Sequence, residues 1–190
     1  MKKFLALCLF SVIASSAFAA PPIRCIIKTS LGDIAIELYP DKAPVTVANF
    51  MRYVDKQAYK GSSFFRVCTP ANEADRKVKI QVIQGGNVPD SLALDNIPME
   101  STKQTGLKHL DGTLSMARSG PNSATCEFFI CVNKQPALDF GGARNPDGQG
   151  FAAFGKVTDG MDVVREIQAQ KDKDQYLLKP VIINNITRLQ

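Results

Sequence analysis

The chain has 190 residues, a formal net charge of +5, one histidine and no tryptophan. Its length suits a single domain with its own hydrophobic core. The basic residues are scattered rather than clustered, so the charge does not indicate a nucleic-acid partner. With one histidine, no paired-histidine metal site can form, and we expect neither a metal nor a cofactor.

Residues 1–19 have the pattern of a secretory signal peptide. Two lysines precede an apolar run at residues 4–13, and the small-residue sequence AFA follows at 17–19. The apolar run is too short to span a bilayer comfortably, so we expect no stable membrane insertion. The pattern predicts cleavage after Ala19 and a periplasmic protein of residues 20–190, with secretion beyond the periplasm left open. The alternative is a buried N-terminal helix.

The first half of the chain combines strand patterns with one helix. Short runs with period-two alternation predict strands at four places: 24–29, 33–39, 63–68 and 78–83. A helix is predicted between the second and third of these strands. Pro44 suits its first turn, apolar residues follow at helical spacing, and Gly61 is a stop signal. The polar, proline-containing stretch 69–77 is predicted to be a loop.

The second half continues with strands and one further helix. The predicted strands are 113–117, 127–132, 151–157 and 181–189. A helix is predicted at 161–168, and the stretch 140–150, rich in Gly, Asn, Asp and Pro, is predicted to be a loop. Short strands, two helices and glycine-rich turns indicate a mainly antiparallel barrel or sandwich with helical caps.

Four cysteines follow the predicted leader: Cys25, Cys68, Cys126 and Cys131. Export would permit disulfides, and the sequence does not choose among the three complete pairings. A bridge between Cys126 and Cys131 is argued against because a strand of that length spans roughly 16 Å, whereas a disulfide needs Cα atoms within about 7 Å. Buried free thiols are the alternative for all four.

Two other features, the single histidine and a glycine-containing stretch, could be mistaken for a catalytic residue and a nucleotide site. His109 precedes Leu-Asp-Gly, which favours an ordinary surface or turn histidine over a catalytic one. The sequence GFAAFGKV at 150–157 imitates a phosphate-binding loop, but Val157 replaces the hydroxyl residue that such a loop needs. The sequence therefore predicts no nucleotide site.

Five short motifs follow one another along the chain: FFRV at 64–67, QGG at 84–86, MARSG at 116–120, EFFI at 127–130 and FGKV at 154–157. In this order they resemble the motifs of the cyclophilin family of peptidyl-prolyl cis–trans isomerases. The resemblance covers nearly all of residues 20–190. It implies a closed eight-stranded antiparallel barrel capped by two helices, with an apolar outer groove that takes a proline ring. It also implies isomerase activity, without a cofactor, on unfolded or proline-containing polypeptides during the folding of exported proteins. We expect a monomer, although the sequence does not reveal the oligomeric state.

The resemblance assigns catalytic roles to Arg66, Gln84 and Phe129. Arg66 would donate to the proline nitrogen in the twisted transition state, where a fixed, permanently charged donor is most useful. Gln84 would bind the substrate backbone and help place Arg66, and Phe129 would form the pocket floor. Substrate contacts are implied for Phe65, Gln81, Val82, Met116, Ala117, Arg118, Ser119, Glu127, Leu138 and Phe151.

Four positions depart from the family pattern. Glu127 stands where many members have glutamine, and its carboxylate could hold Arg66 or compete with substrate for it. Ala137 stands where eukaryotic members have a tryptophan that helps hold cyclosporin, so we expect weak binding of that drug. Phe151 and Gln81 replace a hydrogen-bonding residue and an aromatic residue. These changes leave an alternative, a catalytically weak proline-peptide-binding chaperone or interaction module.

Overall fold

The computed structural model describes residues 20–189, and the predicted signal peptide lies outside these residues. The strands are β1 Ile23–Thr29, β2 Gly32–Leu38, β3 Ser63–Cys68, β4 Val82–Gly85, β5 Thr113–Met116, β6 Phe128–Cys131, β7 Ala152–Asp159, β8 Asp172–Lys173 and β9 Tyr176–Arg188. Within this range, no helix has both the length and the apolar character needed to cross a membrane.

The strands form one antiparallel sheet that closes on itself. Their order is β1-β2-β7-β5-β6-β4-β3-β9, and β9 pairs again with β1. Eight strands therefore make a closed ring, which confirms the predicted eight-stranded barrel. The two-residue strand β8 pairs with β9 alone, as the other arm of a short hairpin.

Three α-helices accompany the barrel in residues 20–189, rather than the two expected: α1 Pro44–Asp55, α2 Thr102–Thr105 and α3 Met161–Gln168. The additional helix, α2, is a single turn with a capping box between Ser101 and Gln104. Helix α1 ends well before Gly61. Gln57 takes a φ of +54°, and Ala58 N–H donates to the Tyr53 carbonyl at 2.9 Å. This Schellman-type ending uses a glutamine where glycine is usual, so the sequence did not indicate that the helix ends here.

The barrel interior is the main hydrophobic core. Aromatic rings fill its centre, with Phe50 of α1 centred 5.4 Å from Phe128 of β6 and 5.3 Å from Phe154 of β7. Tyr59 is also fully buried, and its hydroxyl donates to the Cys126 carbonyl at 2.8 Å. Inward-facing residues of every long strand pack around these rings, as alternation along a barrel strand requires.

Most strand boundaries lie within two residues of the predictions, and two strand starts differ by more. Strand β4 starts at Val82 rather than residue 78, because side chains take over the backbone groups upstream: Arg144 donates to the Val78 carbonyl and Ile80 N–H donates to Glu73. Strand β9 starts at Tyr176 rather than residue 181. Pro180 lies inside the observed strand, although proline is unusual within a strand.

Candidate functional site

A second apolar cluster, hereafter the outer cluster, lies on the outer face of the barrel. It comprises Cys68, Ile80, Val82, Phe129, Cys131 and Leu138, with Ala117 and Phe151 packed against it. Several of these residues alternate with core residues on β3, β4 and β6, because successive side chains of a strand point to opposite faces. The outer cluster underlies a cleft of about 430 Å³.

Most of the residues assigned by resemblance line this cleft. They are Arg66, Val82, Gln84, Ala117, Arg118, Ser119, Glu127, Phe129, Leu138 and Phe151. The rings of Phe129 and Phe151 meet edge to face, with centroids 5.3 Å apart. Phe128, the neighbour of Phe129, points into the barrel core, as strand phase predicts. The cleft therefore joins a polar wall at Arg66 to an apolar floor at Phe129.

Three predicted substrate contacts do not line the cleft. Phe65 sits at a bulge of β3, and its ring stacks on Tyr176, 6.4 Å away. Met116 belongs to the barrel core, on the opposite face from the outer cluster. Gln81 precedes β4, and its Oε1 accepts a hydrogen bond from Asn133 at 3.3 Å. The bulge and the strand phase direct these side chains elsewhere.

Arg66 is held by two amide side chains. Its Nη1 donates to Gln84 Oε1 at 2.8 Å, and its Nε donates to Gln175 Oε1 at 3.0 Å. Its Nη2 also donates to Gln175 Oε1. Three of the five N–H groups of the guanidinium are thereby used, which leaves one on each terminal nitrogen. The guanidinium is fixed in direction and retains donors for a further acceptor.

Glu127 determines which way the Gln84 amide points. Gln84 Nε2 donates to Glu127 Oε2 at 2.8 Å, while Gln84 Oε1 accepts from Arg66. A carboxylate only accepts and a guanidinium only donates, so the reversed amide would lose both bonds. Glu127 thus acts on Arg66 through Gln84, and no direct ion pair joins Glu127 to Arg66 in the described residues.

Gln175 is a site residue that the sequence did not reveal. It lies in the tight turn between β8 and β9 with a φ of +75°, and its N–H donates to Asp172 Oδ2 at 3.0 Å. Val67 N–H donates to the Gln175 carbonyl at 2.8 Å, which ties the turn to β3 beside Arg66. Neither its position in a polar turn nor its distance along the chain from Arg66 gave any indication of this role.

The expectation of a surface or turn histidine was wrong. The His109 side chain is 0% exposed, with Nδ1 2.8 Å from Asp139 Oδ1 and Nε2 3.0 Å from Ser115 Oγ. Its ring stacks on Phe129 at 6.0 Å. Burial alone would raise the pKa of Asp139, but the hydrogen bonds from His109 outweigh it and hold that pKa below the usual 3.8. Ser115 is fully buried, so this Ser-His-Asp arrangement supports the floor and offers no nucleophile.

Both long loops contribute to the cleft. Glu73 of the first loop and Arg144 of the second form an almost fully buried bidentate ion pair, with side chains 0% and 8% exposed. Arg118 donates to both oxygens of Asp147, at 2.7 and 2.9 Å, and to the Gly150 carbonyl at 2.8 Å. The role of these loops was left open by the sequence, and the structure makes them walls of the site.

The four cysteines of the described chain are free and buried. Burial raises the pKa of the Cys25 and Cys68 thiols to about 11, and it also raises that of Cys131. Cys68 and Cys131 pack in the outer cluster as small apolar residues. In residues 20–189 no group of three or more His, Cys, Asp or Glu side chains could hold a metal ion.

The sequence comparisons point to one family. Residues 24–188 match the family model described as cyclophilin type peptidyl-prolyl cis-trans isomerase/CLD. A peptidyl-prolyl cis-trans isomerase from Acinetobacter baylyi is 41% identical over 143 residues, covering 74% of this chain and 69% of the relative. Peptidyl-prolyl cis-trans isomerase A from Dickeya dadantii is 36% identical over 180 residues, covering 90% and 87%.

A solved structure shows the same fold. The cyclophilin type peptidyl-prolyl cis-trans isomerase of Cryptosporidium parvum superposes with a TM-score of 0.72 at 23% identity, over 89% of this chain and 98% of that one. A second structure of that protein, obtained in the presence of the dipeptide Ala-Pro, gives a TM-score of 0.69. By its fold, its family match and its relatives, this chain belongs to the cyclophilin-type peptidyl-prolyl cis-trans isomerase family.

Proposed function

We propose that this chain accelerates cis–trans isomerisation of Xaa–Pro bonds in exported polypeptides, with Arg66 acting on the proline amide. The family supplies the reaction class. The observation that carries the assignment to residues is the fixed guanidinium of Arg66 at the edge of the apolar floor formed by Phe129, Val82 and Leu138. A proline ring on that floor would bring its amide nitrogen to the side where Arg66 lies.

The reaction requires no bond to be made or broken. Its barrier of about 18–20 kcal/mol arises because rotation about the C–N bond removes amide conjugation. In the twisted transition state the proline nitrogen becomes pyramidal and gains a lone pair. A donor aimed at this nitrogen stabilises the transition state more than either planar ground state, and only such differential binding accelerates the step.

Arg66 suits this role through its charge and its fixed orientation. Its guanidinium is permanently protonated, so its donors do not depend on pH. Gln84 and Gln175 hold the group from two sides before substrate arrives, and a donor placed in advance loses little free energy to reorganisation. Each terminal nitrogen keeps an N–H for the proline nitrogen or a neighbouring carbonyl.

The apolar floor would hold the proline ring and leave its acyl side free to rotate. Phe129 lies 4% exposed at the base of the cleft, and Phe151 stands edge-on beside it. Arg118 lies over the Phe151 ring, 5.1 Å from its centroid, and keeps that ring in place. Ala117, Arg118 and Ser119 line the same cleft, where their backbone would bind an extended peptide. The floor would thus fix the proline ring while the polar wall at Arg66 stabilises rotation about the Xaa–Pro C–N bond.

Export to the periplasm is part of the proposal and rests on residues 1–19. A basic start, a short apolar run and the AFA site support cleavage after Ala19. Expression in a Gram-negative host followed by N-terminal sequencing of the periplasmic fraction tests it, and a chain starting at Ala20 is expected. Recovery of the uncleaved chain in the cytoplasm would contradict export and leave the isomerase proposal intact.

We propose that the enzyme acts as a monomer, because one chain supplies both the polar wall at Arg66 and the apolar floor at Phe129 and is thus sufficient for the reaction. We further propose that it binds cyclosporin weakly, because the chain has no tryptophan and half-buried Ala137 stands at the position that carries it in eukaryotic members. Inhibition of isomerisation by cyclosporin at a concentration near that of the enzyme would contradict this expectation.

The direct test measures the exchange between cis and trans forms of a short Ala-Pro peptide by NMR. The uncatalysed exchange takes tens of seconds or longer. We expect residues 20–190 at micromolar concentration to accelerate it well beyond that rate. If the peptide binds in the cleft and exchange is no faster than in buffer, the chain is a proline-peptide-binding module and the proposed catalysis is wrong.

A further inference from the structure

We propose that the cleft prefers proline peptides carrying a carboxylate within a few residues of the proline, and that Arg76 selects them. The inference rests on the proposed function and names the substrate class of that same site. It starts from the charges around the cleft. Four arginines line it, against a single carboxylate, that of Glu127.

Two of the arginines are already neutralised. Arg118 is bound at both terminal nitrogens by Asp147, and Arg144 is bound by Glu73 in the same bidentate way. A peptide carboxylate that approached either arginine would have to compete with an existing charge-assisted pair. These two residues shape the cleft and contribute little attraction of their own.

The other two arginines keep their charge available. Arg66 is held only by the neutral amide oxygens of Gln84 and Gln175. Arg76 is exposed and lines the cleft, and among residues 20–189 no carboxylate lies within 4.0 Å of it in an ion pair. Its neighbour Asp75 is exposed and does not line the cleft. The cleft therefore carries, in addition to Arg66, a second arginine for which the described residues provide no ion-pair partner.

The loop holds Arg76 at the rim through a buried anchor. Arg76 N–H donates to the Glu73 carbonyl at 3.0 Å. The Glu73 side chain is fully buried against Arg144 and accepts from Ile80 N–H at 2.8 Å. The backbone of Arg76 is thus tied to the outer cluster while its side chain stays in solvent. A carboxylate can bind there without breaking an ion pair and without burying its charge.

The expected preference is modest and depends on salt. Contacts between exposed charges contribute little, so a peptide with glutamate should be turned over about two- to fivefold faster, in kcat/KM, than its lysine counterpart. At about 0.5 M salt the Debye length falls to a few ångströms, and the preference should nearly vanish. A neutral peptide should fall between the two and change least with salt.

The experiment compares three peptides that share an Ala-Pro core, with Glu, Gln or Lys placed two or three residues before or after the proline. The chain offers a matched control, since Lys77 follows Arg76 on the same loop, carries the same charge and does not line the cleft. In Arg76→Gln the ratio of the Glu to the Lys peptide should fall toward one. In Lys77→Gln the ratio and the rate on the neutral peptide should match wild type.

Three results would overturn the inference. The first is equal rates for the Glu and Lys peptides in wild type at low salt, and the second is a preference that survives about 0.5 M salt. The third is an equal loss of the preference for the Glu peptide in Arg76→Gln and Lys77→Gln, which would assign the effect to overall charge. If no peptide at all is isomerised, the proposed function fails. Fluorescence anisotropy with the same labelled peptides then still decides the charge preference, and tighter binding of the Glu peptide through Arg76 would support it.

Discussion

The barrel core and the outer cluster are built from the same strands, yet they do different work. Phe128 and Phe129 are consecutive on β6, and they point to opposite faces. Phe128 is fully buried among Phe50, Tyr59 and Phe64. Phe129 meets Phe151 across a cleft that is open to solvent. The inner face therefore supplies stability, and the outer face forms the cleft that we propose as the reaction site.

The comparison shows why polar groups can gather on one face without disturbing the other. Arg66, Gln84 and Glu127 lie on or beside outward positions, where Gln84 hydrogen-bonds to both of the other side chains. In the described residues no buried side-chain nitrogen or oxygen lacks a hydrogen bond. A charge on the inner face would have to be desolvated, whereas a charge on the outer face can be stabilised by hydrogen bonds to neighbouring side chains.

The largest expected effect on stability comes from replacing Phe128 or Phe129 by alanine, one at a time. Phe128→Ala should cost about 3–5 kcal/mol of unfolding free energy, because its ring leaves a closed cavity. Phe129→Ala should cost less, since the vacated space opens on the cleft, and should lower kcat/KM about tenfold through lost contact with proline. Urea unfolding and peptide exchange on both variants test this, and equal stability costs would refute the division between the two faces.

The Glu73–Arg144 ion pair should make the outer face sensitive to acid. Burial alone would raise the pKa of Glu73, but hydrogen bonds from Arg144 and Ile80 N–H outweigh it and place that pKa below the usual 4.5. A lowered folded-state pKa contributes stability that is present above the unfolded pKa and is lost as pH falls through the folded pKa. Glu73→Gln should therefore cost about 3 kcal/mol at neutral pH. Its difference from wild type should shrink as pH falls below the unfolded pKa of Glu73 and vanish once pH has fallen through the lowered folded-state pKa.

Asp75→Asn is the matched control for this measurement, because Asp75 is an exposed carboxylate on the same loop. Its unfolding free energy should follow that of wild type across the titration. The ion pair would not have the stabilising role argued here if Glu73→Gln and Asp75→Asn gave the same pH profile.

A smaller effect is expected at Gln175. Glycine suits the φ of +75° at this position, so Gln175→Gly removes the side chain without backbone strain. Arg66 would keep one of its three hydrogen bonds, and we expect kcat to fall about tenfold with little change in KM. Asp174→Asn changes an exposed residue of the same turn and should leave kcat as in wild type. A rise in KM at constant kcat would instead assign Gln175 to substrate binding.

The smallest effect is expected from reductant, which should change neither activity nor unfolding. All four cysteines of residues 20–189 are free, and burial keeps the Cys25, Cys68 and Cys131 thiols protonated at neutral pH. Native protein should react slowly with a thiol reagent, and unfolded, unreduced protein of residues 20–190 should show all four thiols. A lower count on unfolding would reveal a disulfide.

Much of the barrel was predictable, because alternation on a strand is a local property. Strand phase places Phe128 and Phe129 on opposite faces, and the family resemblance assigned Phe129 to the pocket floor. In the structure Phe129 lies in the outer cluster and Phe128 lies in the barrel core. The motifs around Arg66 and Gln84 then placed the polar wall through the family resemblance. The register of these strands brings Arg66 and Gln84 opposite each other, as neighbours in a ladder.

The remainder of the site depends on contacts between distant parts of the chain. Gln175 reaches Arg66 from a polar turn, and Arg144 reaches Glu73 from another loop. His109 is buried because Asp139 and Ser115 satisfy both of its ring nitrogens. No local pattern marks such partners, since each side chain taken alone is compatible with solvent. The same limit explains the late start of β4, where loop side chains replace ladder hydrogen bonds.

The role of Arg66 is tested most directly by the cis–trans exchange rate of an Ala-Pro peptide with Arg66→Ala beside wild type. Arg66 is only half-buried on the outer face, so its removal should change the unfolding free energy by no more than about 1 kcal/mol. Loss of a preorganised donor should lower kcat/KM about 10²- to 10³-fold. A variant that folds normally and exchanges the peptide as fast as wild type would contradict the assignment of transition-state stabilisation to Arg66.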